Sequence, residues 1–195
     1  DELRGYDHAF TASGQYAVAE GSETVASGDW SHAEGFQTMA IGPRSHAEGE
    51  GSLAGYWNTH AEGNFTEAWG DVTHAEGNRT VASGDISHSE GFYTEASGYA
   101  SHSEGGETVA SGVYSYAGGY FSEANGFASH VEGVYGFADG FASHAEGDSP
   151  IASGYASHAE GSSTTAAGDS SHAQGEFASA FAPYSDYTCY PCYNF

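Results

Sequence analysis

Glycine returns at every seventh position along almost the whole chain: Gly14, Gly21, Gly28, Gly35, Gly42 and Gly49, then Gly63 through Gly175. Two residues before each glycine stands a small residue, nearly always alanine. Four before it stands, in most cases, serine or threonine, so the unit is [Ser/Thr]-x-Ala-x-Gly-x-x. A short fixed period with an obligatory flexible residue marks a solenoid, in which the chain turns at the same place on every lap. Alternate heptads differ, which makes the true repeat fourteen residues. One half reads Ser31-His32-Ala33-Glu34-Gly35, Ser45-His46-Ala47-Glu48-Gly49 and so on to the segment at His172. The other half reads Thr24-Val25-Ala26-Ser27-Gly28, Thr80-Val81-Ala82-Ser83-Gly84 and relatives.

Five alternating residues are too short for a helix and make a short strand. Glycine with the two variable residues after it makes the turn, glycine supplying the positive φ. The expected fold is all-β: a parallel β-roll or β-solenoid with fourteen-residue coils, each lap running strand, turn, strand, turn. Successive side chains alternate between faces, so Ser/Thr and Ala share the interior while His/Glu or Val/Ser point out. Residues 10–182 supply about twelve laps, a rod roughly 55–60 Å long at about 4.8 Å per lap. Segments 1–9 and 183–195 break the repeat and read as a joining segment and an aromatic tail. Ordering a residue costs about 1.5 kcal/mol, whereas burying an alanine methyl returns less than about 1. An Ala/Ser interior therefore calls for further burial by association.

Composition excludes several classes of partner. The formal net charge is -24, and the only basic residues are Arg4, Arg44 and Arg79. Nothing is present to neutralise phosphates, which argues against nucleic acid, and a polybasic membrane contact is equally disfavoured. No apolar stretch reaches transmembrane length, and Asp1-Glu2-Leu3-Arg4 is not a signal peptide, although a mature secreted chain starts this way too. High charge with little Leu, Ile or Val resembles disorder. The strict register and the 14 tyrosines, 11 phenylalanines and 3 tryptophans oppose that reading.

The unit [Ser/Thr]-x-Ala-x-Gly-x-x in fourteen-residue pairs resembles the head repeats of YadA-like trimeric autotransporter adhesins, whose usual motif is Ser-Val-Ala-Ile-Gly. It is also similar to segments of phage tail fibres. The resemblance implies a left-handed parallel β-roll, a homotrimer (intertwined or side by side), and a surface-adhesive or fibre role. This chain departs from the motif in writing His-Glu where the family writes Val-Ile.

The strongest chemical signal is that pair of columns: His32, Glu34, His46, Glu48, His60, Glu62, His74, Glu76, His88, Glu90, His102, Glu104, His130, Glu132, His144, Glu146, His158, Glu160 and His172. Stacked glutamates about 5 Å apart repel by nearly 1 kcal/mol per pair in water and by several at an effective dielectric near 20. The histidines beside them offer hydrogen bonds or positive charge. By analogy with the family's Val-Ile strand, these columns are assigned to the subunit contact, His of one chain meeting Glu of another with raised histidine pKa values. A metal ladder is the functional alternative, since imidazole plus carboxylate suits zinc or copper; a solvated stripe is the third reading. No metal is assigned, and no other cofactor is expected. Tyr116 in Ser115-Tyr116-Ala117-Gly118-Gly119 fills the space of a missing His/Glu pair, and Tyr56 takes a glycine slot as a tolerated turn variant.

The variable turn residues face outward: Trp30, Phe36, Trp57, Phe65, Phe92, Tyr93, Tyr99, Tyr120, Phe121, Phe127, Phe141 and Tyr155. Such rows suit sugar binding, lateral packing or shielding of the turns. Asn64-Phe65-Thr66 and Asn78-Arg79-Thr80 are glycosylation sequons. Asp29, Asp71, Asp85, Asp148 and Asp169 offer oxygens for calcium without the nonapeptide calcium-roll signature. The threonine column Thr24, Thr38, Thr66, Thr80, Thr94 and Thr108 would resemble an ice-binding face, but the alternation turns it inward. Cys189 and Cys192 form a C-x-x-C with no second pair, so a disulfide within or between chains is preferred over redox or metal chemistry. Ser, His and Glu abound only as a repeat, whereas catalysis needs one special place; no enzyme is expected. The reading is an extracellular or surface fibre protein that self-associates and polymerises end to end. The competitor is a receptor- or glycan-binding head of a surface adhesin or tail fibre.

Overall fold

The computed structural model describes residues 11–182 and the backbone of the strand Asp186–Cys189. The joining segment 1–9, and in the tail both Cys192 and the Cys189 side chain, lie outside the described residues. The chain is an all-β parallel solenoid of about twelve fourteen-residue laps. Its strands form two 13-stranded sheets, one from each half of the lap. Each strand pairs with its equivalent one lap on: His74 with His88, Ala75 with Ser89, Glu76 with Glu90, and on the other sheet Val81 with Glu95.

The two halves are unequal. The His half makes a five-residue strand, such as His74–Asn78, that runs through the glycine, while the other half pairs over only two residues, such as Val81–Ala82. The hydrogen bonds explain the difference. In the short half, the N–H groups of Ser83 and Gly84 both donate to the Ala96 carbonyl, at 2.9 and 3.2 Å. Two donors on one acceptor bend the chain out of the ladder. Ser87 N–H then closes the turn on the Gly84 carbonyl at 3.1 Å.

The role expected of glycine is corrected in one respect. The positive φ expected of glycine is found at the long-strand glycines, Gly21 to Gly175 at fourteen-residue spacing (φ 100–135°), but not at those of the short half. In every turn the left-handed helical conformation falls on the residue two positions after the glycine. From Tyr16 to Phe177 every seventh residue has φ between 50 and 66°, and only Gly51 among them is glycine. From Trp30 on, each of these residues turns its N–H back to the preceding lap: Arg79 to the Asn64 carbonyl at 2.9 Å, Ile86 to that of Asp71 at 2.8 Å. The heptad glycines answer to a further constraint, the closeness of the next lap. A Cβ on Gly84, which has no positive φ, would lie 2.1 Å from the Gly98 carbonyl oxygen. On Gly77, inside a long strand at φ +118, it would lie 2.2 Å from that of Gly91. Tyr56, in a glycine slot, keeps the register; its carbonyl accepts the Thr59 hydroxyl at 2.9 Å.

The interior is as narrow as the alternation requires. Ala26, Ala33, Ala40 and their equivalents are fully buried, and with them Thr24, Thr38, Thr66, Thr80, Thr94 and Thr108, so the threonine column faces inward. Buried hydroxyls mostly bond to carbonyls, as Thr73 does to Gly70 at 2.8 Å. Across the interior, residues five apart face each other. Where serine replaces alanine it meets the opposite threonine, Ser89 with Thr94 and Ser103 with Thr108, both at 2.8 Å. Where valine replaces alanine, at Val131, the opposite residue is Gly136, and a Cβ there would come within 2.5 Å of the valine methyl.

Candidate functional site

The long strands carry His and Glu on their outer face, two residues apart and therefore on the same side. Parallel, in-register pairing then stacks every His on a His and every Glu on a Glu. From His32 to His102 six imidazoles stack in sequence, with ring centres 4.7–4.9 Å apart and planes within 25° of parallel. His130, His144, His158 and His172 continue the stack at 4.7–4.8 Å.

Between the two runs sits Tyr116, edge-on to His102 and tilted against His130. Its hydroxyl donates to Glu104 of the lap before. Gly118 occupies the glutamate slot beside it, and a Cβ there would lie 2.7 Å from the tyrosine oxygen. The tyrosine thus fills the room of the missing pair and adds a hydrogen bond not legible in the sequence. That donation holds Glu104 below the usual carboxylate range, and burial, followed by Glu104 itself, pushes Tyr116 up.

Within a rung, His Nε2 and Glu Oε2 are separated by 3.6 Å at His46–Glu48, 3.8 Å at His60–Glu62 and 3.9 Å at His74–Glu76. His88–Glu90, His102–Glu104, His130–Glu132 and His144–Glu146 fall in the same span, as does His32–Glu34. These separations are too long for a direct hydrogen bond. Yet the Nε2 atoms of His32, His46, His60, His74, His88, His102, His130, His158 and His172 are buried and have no hydrogen-bond partner among the described residues. The side chains themselves are about a third exposed along the outer face. Beside the glutamates runs an open groove of about 410 Å³, floored by Gly77, Gly91, Gly105 and Gly119 and walled by Glu76, Glu90 and Glu104.

Burial and the like-charged neighbour above or below lower the pKa of His60, His74, His88, His144 and His158. Within one chain this is opposite to the rise expected of an inter-chain His–Glu contact. For His74 the imidazole of His88 outweighs Glu76, Glu62 and Glu90 in turn. Glu48 is raised, first by burial and then by Glu62.

The sign for stability follows. Between the lowered folded value and an unfolded value near 6.5, the unfolded chain binds more protons, so stability rises with pH. With the histidine face uncovered, metal-free protein is expected to lose melting temperature as pH falls from about 7 through 6 towards the folded values and to be insensitive above about pH 7.5. A glutamate column of another chain laid over that face would raise the histidine values and reverse the sign. A melting series by circular dichroism in chelator-containing buffers checks this; a melting temperature that climbs on acidification to pH 6 contradicts an uncovered face.

The remaining candidates fall elsewhere. Asn64 and Asn78 form an amide ladder, Asn78 donating to Asn64 at 2.9 Å and Asn64 to Glu50 at 3.1 Å. The turn aspartates largely bond to backbone: Asp29, Asp71, Asp85 and Asp169 accept the N–H of Gln15, Trp57, Asp71 and Tyr155, each one lap before, at 2.9–3.3 Å. Asp148 accepts the Ser149 hydroxyl. The outward aromatics are exposed except Phe121, which is half-buried. Phe127, Phe141 and Tyr155 stack face to face at 4.8 and 5.1 Å, so their ring faces are largely spent on one another. Two arginines insert into these rows: Arg44 lies over Trp30 and Trp57, and Arg79 over Phe65 and Tyr93, at 5.4–5.6 Å. Sequence reasoning missed those clamps, whose signal is a spacing near fourteen between a cation and its flanking rings.

Residues 33–54 and 159–181 each match the family model of the YadA head domain repeat. No curated protein matches the chain in sequence. The two matched stretches, one near each end of the described solenoid, and the parallel fourteen-residue coil fit YadA-like head repeats.

Proposed function

We propose that the chain is a non-enzymatic, extracellular or surface-borne structural rod that self-associates through its His/Glu face. Three chains wind around one axis, each a left-handed roll, as in the adhesin heads to which its repeats are similar. End-to-end stacking would prolong the same parallel ladders into a fibre. The observation that carries this reading is the uniformity of the outer face. Nine of the ten matched rungs carry a buried, partnerless Nε2 that calls for a hydrogen-bond acceptor from outside the chain, and a neighbouring glutamate column supplies one per rung. The rival reading, a glycan- or receptor-binding head, draws on the exposed aromatic rows. The mutual stacking of Phe127, Phe141 and Tyr155 speaks against it, because a sugar needs a free ring face.

Light scattering on metal-stripped protein, with and without reductant, tests association. The expected mass is three times that of the chain in both conditions. A folded monomer at micromolar concentration overturns the proposal. Electron micrographs separate the two roles, filaments supporting the fibre and discrete rods that bind cells or glycans supporting the head.

A further inference from the structure

The unpartnered imidazoles admit a second occupant, which at any one Nε2 is an alternative to a carboxylate of another chain. We propose that the ladder is a multi-ion site for divalent transition metals, each ion held by two successive histidines and the glutamate between them. His60, Glu62 and His74 form one such set, and His158, Glu160 and His172 another; in each, one ligand atom per residue lies within 4.8 Å of the others.

The distances favour a bridging ion over direct contact. Metal bonds of about 2.0–2.1 Å in a tetrahedral shell place a nitrogen and an oxygen ligand roughly 3.3–3.4 Å apart. The observed Nε2–Oε2 separations of 3.6–3.9 Å lie just outside that value. They exceed a hydrogen bond by close to 1 Å. Successive rings stand 4.7 Å apart at His60 and His74, more than van der Waals contact of about 3.5–4.0 Å requires. That slack lets two rings tilt so that each Nε2 leans roughly 0.7 Å towards a shared ion. Each buried Nε2 lacks any other partner, imidazole with carboxylate suits zinc and copper, and a net charge of -24 concentrates cations at the surface.

Stoichiometry follows from the chemistry of the ring. Each Nε2 has one lone pair and serves one ion, so adjacent gaps cannot both be filled. The six histidines from His32 to His102 make three pairs, and the four from His130 to His172 make two. The Tyr116 and Gly118 lap supplies neither ligand and divides the ladder. Saturation is therefore expected at about five ions per chain.

The test uses the full chain, prepared without a polyhistidine tag, stripped with chelator and dialysed against micromolar Zn²⁺. Elemental analysis is expected to find about five zinc ions per chain, and Co²⁺ in their place should give the intense visible bands of a four-coordinate site. The double variant His60→Gln/His74→Gln should lose about one ion. Glu62→Gln, which leaves the imidazole stack whole, should weaken the same site about tenfold or more, and it serves as the reading if the double variant does not fold. Fewer than one zinc per chain, or a stoichiometry and affinity unchanged in these variants, overturns the proposal; the latter result would assign the ions to exposed carboxylates. The inference uses the same ladder as the association proposed above but does not depend on association. Light scattering of stripped protein reports one, elemental analysis the other.

Discussion

Gly84→Ala is expected to destabilise the solenoid at its middle by about 1–3 kcal/mol. Tyr56, two laps earlier in the same column, keeps the register, but there the Ala68 carbonyl accepts only the Gly55 N–H, so a lap that admits a Cβ gives up the second of the two bonds. The added methyl would sit 2.1 Å from the Gly98 carbonyl oxygen and 2.6 Å from its carbon. Both are backbone atoms, which cannot swing aside as a flexible side chain does. To relieve the contact, the two laps must shift apart there, with loss of the bond from Gly84 to Ala96. Urea denaturation should show the loss, and hydrogen exchange should show unprotected amides on both sides of residue 84. The informative control is Val72→Gly. Val72 has φ 60° and a side chain more than half exposed. A left-handed β-branched residue costs about 1–2 kcal/mol, and glycine's greater chain entropy returns about 0.5–1 of that. Removing a glycine should weaken the rod while introducing one two positions after a neighbouring glycine, Gly70, stabilises it by up to ~1 kcal/mol. A benign Gly84→Ala with intact midpoint would mean that the laps do not approach as closely as described.

The second large effect concerns the interior. Ala75→Val should destabilise by about 1–3 kcal/mol, the usual cost of overpacking a tight core, because Ala75 is fully buried opposite Thr80. Thr80→Gly should recover most of that loss. The chain already contains this exchange, in Val131 facing Gly136. Thr80 is the suitable partner since its hydroxyl has no hydrogen-bond partner to forfeit. A double-mutant cycle read by urea midpoints is expected to give a favourable coupling of 1 kcal/mol or more, within the ~0.5–3 range for residues in contact. Additive effects would show that residues five apart do not face each other.

These predictions also mark where the sequence was informative. The fourteen-residue coil, the parallel register and the inward Ser/Thr–Ala face follow from periodicity, because a period of two within a strand leaves each residue one face and a fixed lap length leaves one register. The His and Glu columns were legible on the same grounds. The turn conformation was not. Left-handed slots are occupied by Trp30, Arg44, Val72, Ala100, Tyr135 and Phe177 alike, so no residue type marks them; what holds them is a backbone bond to the previous lap. The recurrence of glycine pointed to positive φ, which the long-strand glycines have; the close approach of a neighbour fourteen residues away was not legible. The direction of the histidine pKa shifts was likewise hidden. A rung read alone shows imidazole beside carboxylate, and only the stack reveals that burial and the next imidazole outweigh it.

The claim underlying all of this is that fourteen residues advance the rod by one strand spacing. Spin labels at Met39→Cys with Glu95→Cys, and at Met39→Cys with Ser179→Cys, all on the outer face of the short-strand sheet, measure it in a background with Cys189 and Cys192 replaced by serine. The pairs are four and ten laps apart. At about 4.8 Å per lap the separations should be roughly 19 and 48 Å, measured in samples diluted with unlabelled chain. Distances that do not grow in that proportion, or a long pair that collapses to the value of a compact globule, would contradict it.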